Sequence, residues 1–135
     1  MPDMTLLDLS KYRLAKAGET LATAKRDLHA EDYASANNRA YYCIFHAMRA
    51  VIALDGEDYK KHSAVIARFT MNYLKPEILP REFGKLISNA SLIRNRSDYE
   101  DFYICSIEDT MRLVSGAEEF LQAVTAYLQT KYNEV

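Results

Sequence analysis

Between Asp32 and Leu54 the chain reads DYASANNRAYYCIFHAMRAVIAL, with no glycine or proline and with apolar side chains on more than one face. A helix of that length spans about 34 Å and cannot leave so much apolar surface in water, so neighbours must pack it on several sides. Only four glycines and three prolines occur in 135 residues, few breakers for a β-rich design. No segment alternates polar and apolar residues for long enough to predict a strand. The expected fold is all-α, an antiparallel five-helix bundle.

The other helices follow from their own spacing. Leu14, Ala17, Leu21, Ala24 and Leu28 step by three and four and predict a first helix over 9–29, with Lys11, Arg13, Lys25 and Arg26 outside its stripe. Asp32 is a natural N-cap for the second helix, and Gly56 stands just past its end. A third helix is expected over 64–74, ending before Pro76, and a fourth with Pro80 in its first turn and Phe83, Ile87, Ala90 and Arg94 on one face. SDYEDFYIC reads as a loop. Ser106 followed by Asp109 then starts a fifth helix with a stripe of Ile107, Met111, Val114, Ala117, Leu121, Val124 and Leu128, whose last residues should fray.

This length fits a single domain over residues 1–135, with its core at about 8–128. A net charge of −2 and a pI near 5.9 exclude coating of nucleic acid by bulk charge, so a nucleic-acid site has to be focal. Cys43 and Cys105 lie in helical patterns without a CxxC and read as buried thiols of a reducing compartment. The start, MPDMTLLDLSKYR, has no basic leader pattern, and no run of 18 apolar residues occurs, so a soluble cytoplasmic protein without membrane contact is expected. His29, His46 and His62 are far apart with no His or Cys partner at i+3 or i+4, and four isolated glycines build no phosphate loop. No metal and no cofactor are expected.

Two features remain. On the second helix Asn38, Tyr42, His46 and Arg49 share one face, while Tyr41, Phe45, Met48 and Ile52 line the next, which reads as core. The polar row fits either buried groups satisfied by neighbouring helices or a nucleic-acid surface. If Arg39, Arg49, Lys60, Lys61, Arg94 and Arg96 converge, an acidic bundle would hold a focused phosphate-binding cleft. The second feature is SLIRNRSDYEDF, residues 91–102. It is either a polar helix end, with arginines near the negative end of the helix dipole and Asp98, Glu100 and Asp101 beside them, or part of that cleft.

Together NNRAYYCIFHAMRAVIAL, KKHSAVIARF and FGKLISNASLIRNRSDYEDF, in this order and spacing, resemble the signature regions of HEPN domains. The resemblance implies an all-α bundle, commonly a homodimer. Many members are metal-independent ribonucleases that act as toxins or in defence, often beside a minimal nucleotidyltransferase. The family's motif is Arg, a polar residue, a short spacer and His, with two copies meeting across the dimer. Here it maps to Arg94, Asn95 and Tyr99, tyrosine standing where the histidine would be. A phenol, with a reference pKa of about 10, is ionised to about one part in a thousand at pH 7 and does not simply replace an imidazole base.

Three readings follow from that departure. The tyrosine acts as a phenolate beside Arg94 and Arg96; or His46 or His62 supplies the base from another helix or subunit; or catalysis is lost and RNA or partner binding remains. By the same resemblance Arg39, His46, Arg49, Lys60, Lys61, His62 and Arg96 are the implied RNA contacts. Tyr99 and Tyr103 are implied candidates for adenylylation by the nucleotidyltransferase. A non-catalytic helical adaptor that binds a protein partner is the rival reading.

Overall fold

A computed structural model describes residues 5–134. Parts of the start and end read above, residues 1–4 and Val135, lie outside the described residues. Five α-helices follow one another: α1 Leu6–His29, α2 Tyr33–Ala53, α3 His62–Phe69, α4 Phe83–Tyr99 and α5 Ile107–Asn133. Among the described residues there is no strand, so the expected all-α five-helix bundle is what forms. No helix among them is long and apolar enough to cross a membrane.

The helix ends follow local chemistry. Thr5 and Asp8 form a reciprocal capping box at α1, the Asp32 side chain accepts from the Ser35 N–H at α2, and Ser106 Oγ accepts from the Asp109 N–H at α5. Gly56, past the end of α2, has φ +77°, where a side chain would be strained.

α2 is the central element and packs against all four others. Tyr41, Phe45, Met48 and Ile52 are buried as expected, together with Ile44 and Val51 on other sides of the helix. They meet Ala17, Leu21 and Ala24 of α1 and Val114, Ala117, Phe120, Val124 and Leu128 of α5. Buried polar bonds fix the register. Ser10 Oγ donates to the Ala50 carbonyl at 2.7 Å and lies 2.7 Å from the Tyr132 hydroxyl, and the Asn37 amide donates to Thr110 Oγ1 at 3.0 Å.

Four expectations are corrected. The third helix starts at His62 and turns at Thr70–Leu74 into one π-helical turn, closed by the Lys75 N–H on the Thr70 carbonyl, which places both Tyr73 and Leu74 in the core. Pro80 precedes α4 instead of opening it, its carbonyl accepting from the Phe83 N–H. Ser97, Asp98 and Tyr99 belong to α4, not to a loop, because Arg94–Asp98 and Arg96–Glu100 pairs, each at 3.6 Å, sustain its last turns. On α5, Ile107 and Met111 are exposed, and Thr110 and Leu113 take the buried positions. The connection between α4 and α5 then holds an apolar strip in the open: Phe102 is 97% and Ile104 88% exposed.

Candidate functional site

The polar row of α2 becomes a site because α3 and α4 close over it. Tyr42 stands half-buried at its centre. The Arg39 guanidinium lies 5.8 Å and the Arg94 guanidinium 5.7 Å from its ring centre, and the rings of His46 and His62 are 6.0 and 5.8 Å away. Two cations and two imidazoles from three elements thus surround one phenol.

Arg94 is the most constrained of these groups. Its guanidinium stacks 5.1 Å from the Tyr41 ring centre, and its Nη1 lies 3.2 Å from His62 Nδ1. The Tyr41 hydroxyl lies 2.7 Å from the same nitrogen. A guanidinium only donates, so Nδ1 accepts and keeps its lone pair, which puts the proton of a neutral ring on Nε2. The His62 ring is stacked 4.0 Å from Phe45, so its plane is fixed as well. Burial first, then Arg94 and Arg49, hold His62 below the ordinary imidazole pKa. Arg94 Nε is buried and has no hydrogen-bond acceptor among the described residues; the nearest carboxylate, Asp98, is 3.6 Å away.

Beside this pair, Arg49 Nη2 donates to Asp58 Oδ1 at 2.9 Å, and Arg13 Nη2 reaches the same oxygen at 3.2 Å. Arg13, read from its spacing as an outward residue, is buried there, bonded to Asp58 and to the Arg49 carbonyl. Asp58 is held below the usual carboxylate range, mostly by its bond from Arg49. His46 is pushed down to about 4 by burial and then by Arg49, Lys16, Arg39 and Arg13, so it is neutral at pH 7.

The expected convergence is therefore partial. Arg39, His46, Arg49, His62 and Arg94 share the α2–α3–α4 face. Lys60 and Lys61 are exposed on the connection into α3. Arg96 lies about 200° round the helix from Arg94 and packs on Tyr103, 5.7 Å from its ring centre. Asn95 is exposed, and Tyr99, 84% exposed, sits about 140° round α4 from Arg94. Of the two candidate modification sites, Tyr99 is open to solvent and Tyr103 is half-buried. Among the described residues no three His, Cys, Asp or Glu side chains are placed to share a metal ion.

Residue spacing missed Tyr41 and Asp58. Tyr41 reads as core from its period, yet its hydroxyl is a polar tip at the edge of that core, and Asp58 is one acid among several in a polar connection. Only the meeting of α2 with α3 and α4 gives either residue its place.

The HEPN domain family model matches residues 10–127, and the chain belongs to that family. It is 30% identical over 119 residues to a "UPF0332 protein" of Thermotoga maritima, covering 88% of this chain and 90% of that one. A Methanocaldococcus jannaschii protein named "Putative toxin MJ0142" is 27% identical over 118 residues, covering 87% of this chain and 80% of its own length. A second from that organism, "Putative toxin MJ0605", is 31% identical over 83 residues, 62% of each chain.

Proposed function

We propose that this chain is a toxin-type HEPN protein, the partner of a minimal nucleotidyltransferase in a toxin–antitoxin or defence pair, and that it binds RNA on the face centred on Tyr42. The relatives named as toxins support the first part. Arg94 carries the second: a guanidinium with five N–H donors is stacked on two tyrosines, and its one hydrogen bond goes to a neutral imidazole nitrogen. The carboxylate it pairs with, Asp98, stands 3.6 Å from Nε, beyond hydrogen-bond reach, so most of its donors are uncommitted. An arginine with spare donors, half-open beside Arg39 and Arg49, suits a phosphate oxygen.

In this reading Arg94 and Arg39 hold the backbone, His62 donates through Nε2–H, and Tyr42 offers its ring to a base. In the same reading a second copy of the chain covers the exposed Phe102 and Ile104, on the connection that follows α4, and the cleft lies near that dimer interface.

The test is a titration of labelled single-stranded RNA with wild type and Arg94→Ala at several salt concentrations. Wild-type affinity should fall steeply with salt, and Arg94→Ala should lose about tenfold, or about 1.4 kcal/mol, with a shallower salt slope. Equal affinity of the two proteins removes Arg94 from the site. Binding that ignores salt, or no binding, favours the adaptor reading, for which the bare Phe102 and Ile104 are the specific support.

A further inference from the structure

Asp58 is an acid in a basic neighbourhood. Lys60 and Lys61 follow it on the connection between α2 and α3, Lys16 stands about one turn of α1 beyond Arg13, and one Asp58 oxygen takes donors from both Arg49 and Arg13, at 2.9 and 3.2 Å. We propose that Arg13 and Arg49 form an anion site for a phosphate group, and that the Asp58 carboxylate fills it in the free protein until the phosphate displaces it. The placing of that phosphate on an RNA strand rests on the RNA reading above; the site itself does not.

The arginines and the acid are held in different ways. The Arg13 side chain is 8% exposed and Arg49 is mostly buried, whereas the Asp58 side chain is 58% exposed. A guanidinium as deep as that of Arg13 requires an anion beside it, because an unpaired buried charge is strongly unfavourable. Two helices thus aim fixed donors at one point, and a connection supplies the anion from outside. Among the described residues Arg13 has one other hydrogen bond, to the Arg49 carbonyl at 3.3 Å, and the buried Arg49 Nε has no acceptor. The pair engages a single Asp58 oxygen; a phosphate brings a further oxygen for the idle Nε.

The connection keeps its shape without Asp58. Gly56 turns the chain at φ +77°, the Glu57 N–H donates to the Ile52 carbonyl at 3.2 Å, and Arg68 Nε ties Tyr59 and Glu57 together at 3.2 and 3.3 Å. With the backbone pinned on both sides, a rotation about χ1 carries the exposed carboxylate into solvent. The vacated site adjoins the Tyr42 face: the Arg49 guanidinium lies 5.7 Å from the Phe45 ring centre, and Phe45 stacks on His62, the neighbour of Arg94. Arg49 stands seven residues along α2 from Tyr42, about 10 Å, so a short strand with a base on Tyr42 reaches the pair.

The experiment compares wild type, Asp58→Asn and Glu119→Gln, the last removing the same charge from an exposed acid of α5. Asparagine keeps an oxygen where the arginines need an acceptor, so Asp58→Asn takes away the charge alone. Thermal unfolding is followed with and without inorganic phosphate at matched ionic strength, beside a titration of labelled single-stranded RNA. Without phosphate Asp58→Asn should melt below wild type, because Arg13 has lost its counter-ion. Phosphate should raise its midpoint by more than it raises the other two, which show only the general stabilisation by that salt. RNA should bind Asp58→Asn about fivefold more tightly than wild type, the competing ion pair being gone, and Glu119→Gln within about twofold of wild type. Asp58→Ser, checked by circular dichroism, takes the place of an Asp58→Asn protein that does not fold.

The melts decide the site: an equal rise in all three proteins overturns it. The titration decides the source of the phosphate. Wild type that binds RNA with no gain for Asp58→Asn, or a gain shared by Glu119→Gln, overturns the place of the pair on the strand, restricts it to a free phosphate or phosphomonoester, and leaves the RNA reading at Arg94 intact. If none of the proteins binds RNA, the RNA reading fails by itself, and a larger phosphate rise for Asp58→Asn still upholds the anion site.

Discussion

At the residue scale, the least expected group is a histidine inside a ring of cations. In the folded chain His46 is pushed down to about 4, whereas in the unfolded chain an imidazole titrates near 6.5. Between these values the unfolded state binds the extra proton, so stability rises with pH across that window. The contribution is fully present above 6.5 and is lost as pH falls through about 4, with an upper size of about 3 kcal/mol. Urea midpoints at pH 7 and pH 5 should therefore differ for wild type, and His46→Gln should narrow the gap; an unchanged gap would place the acid sensitivity elsewhere. Arg39, His46, Arg49 and Arg94 were legible as candidates from residue type and spacing, and His62 from the family resemblance. Their arrangement was not. Helical period places Arg94 at the border of an apolar stripe, but its bond to His62 joins two helices that sequence order leaves 32 positions apart.

Two glycines show at the scale of the element how far local rules reach. Gly18 lies inside α1 with nothing within 4 Å of where a Cβ would be, so Gly18→Ala should stabilise the fold by about 0.5–1 kcal/mol. Gly116 lies inside α5, and a Cβ there would sit 2.5 Å from Leu86 Cδ1, so Gly116→Ala should gain less than Gly18→Ala or lose stability. Thermal unfolding of the two variants checks the order, and equal gains would mean that Leu86 moves aside without cost. Propensity treats the two positions alike, and only the approach of α4 separates them. The helix starts at Thr5, Asp32 and Ser106 are set by local side-chain bonds, and two of them, Asp32 and Ser106, were predicted from the sequence. The end of α4 was misread because its last turns are held by ion pairs on polar residues, which lack an apolar stripe to announce a helix. The stripe of α5 was misplaced at Ile107 and Met111 because the start of the helix turns Thr110 and Leu113 inward instead, where Thr110 Oγ1 accepts from the Asn37 amide of α2 at 3.0 Å, a polar contact that an apolar stripe does not announce.

For the whole molecule, the open question is what covers Phe102 and Ile104. Scattered apolar side chains are ordinary on a surface, but two that are almost fully bare in one short connection are costly if left in water. On the dimer reading, light scattering at micromolar concentration should give twice the 15.5 kDa chain mass. The double variant Phe102→Asp with Ile104→Asp should then run as a folded monomer. A wild-type monomer would assign the strip to another partner. The centre of the bundle adds a consequence of its own. α2 is covered by every other helix, so its amide protons should be the last to exchange with deuterium, close to the limit set by global unfolding. Arg39, Tyr42, His46 and Arg49 are mounted on that slowest backbone, whereas His62 and Arg94 ride on shorter helices at its rim. A ligand seated between them would leave the α2 signal where it was and slow exchange in α3 and α4, dividing the site into a fixed wall and a closing one.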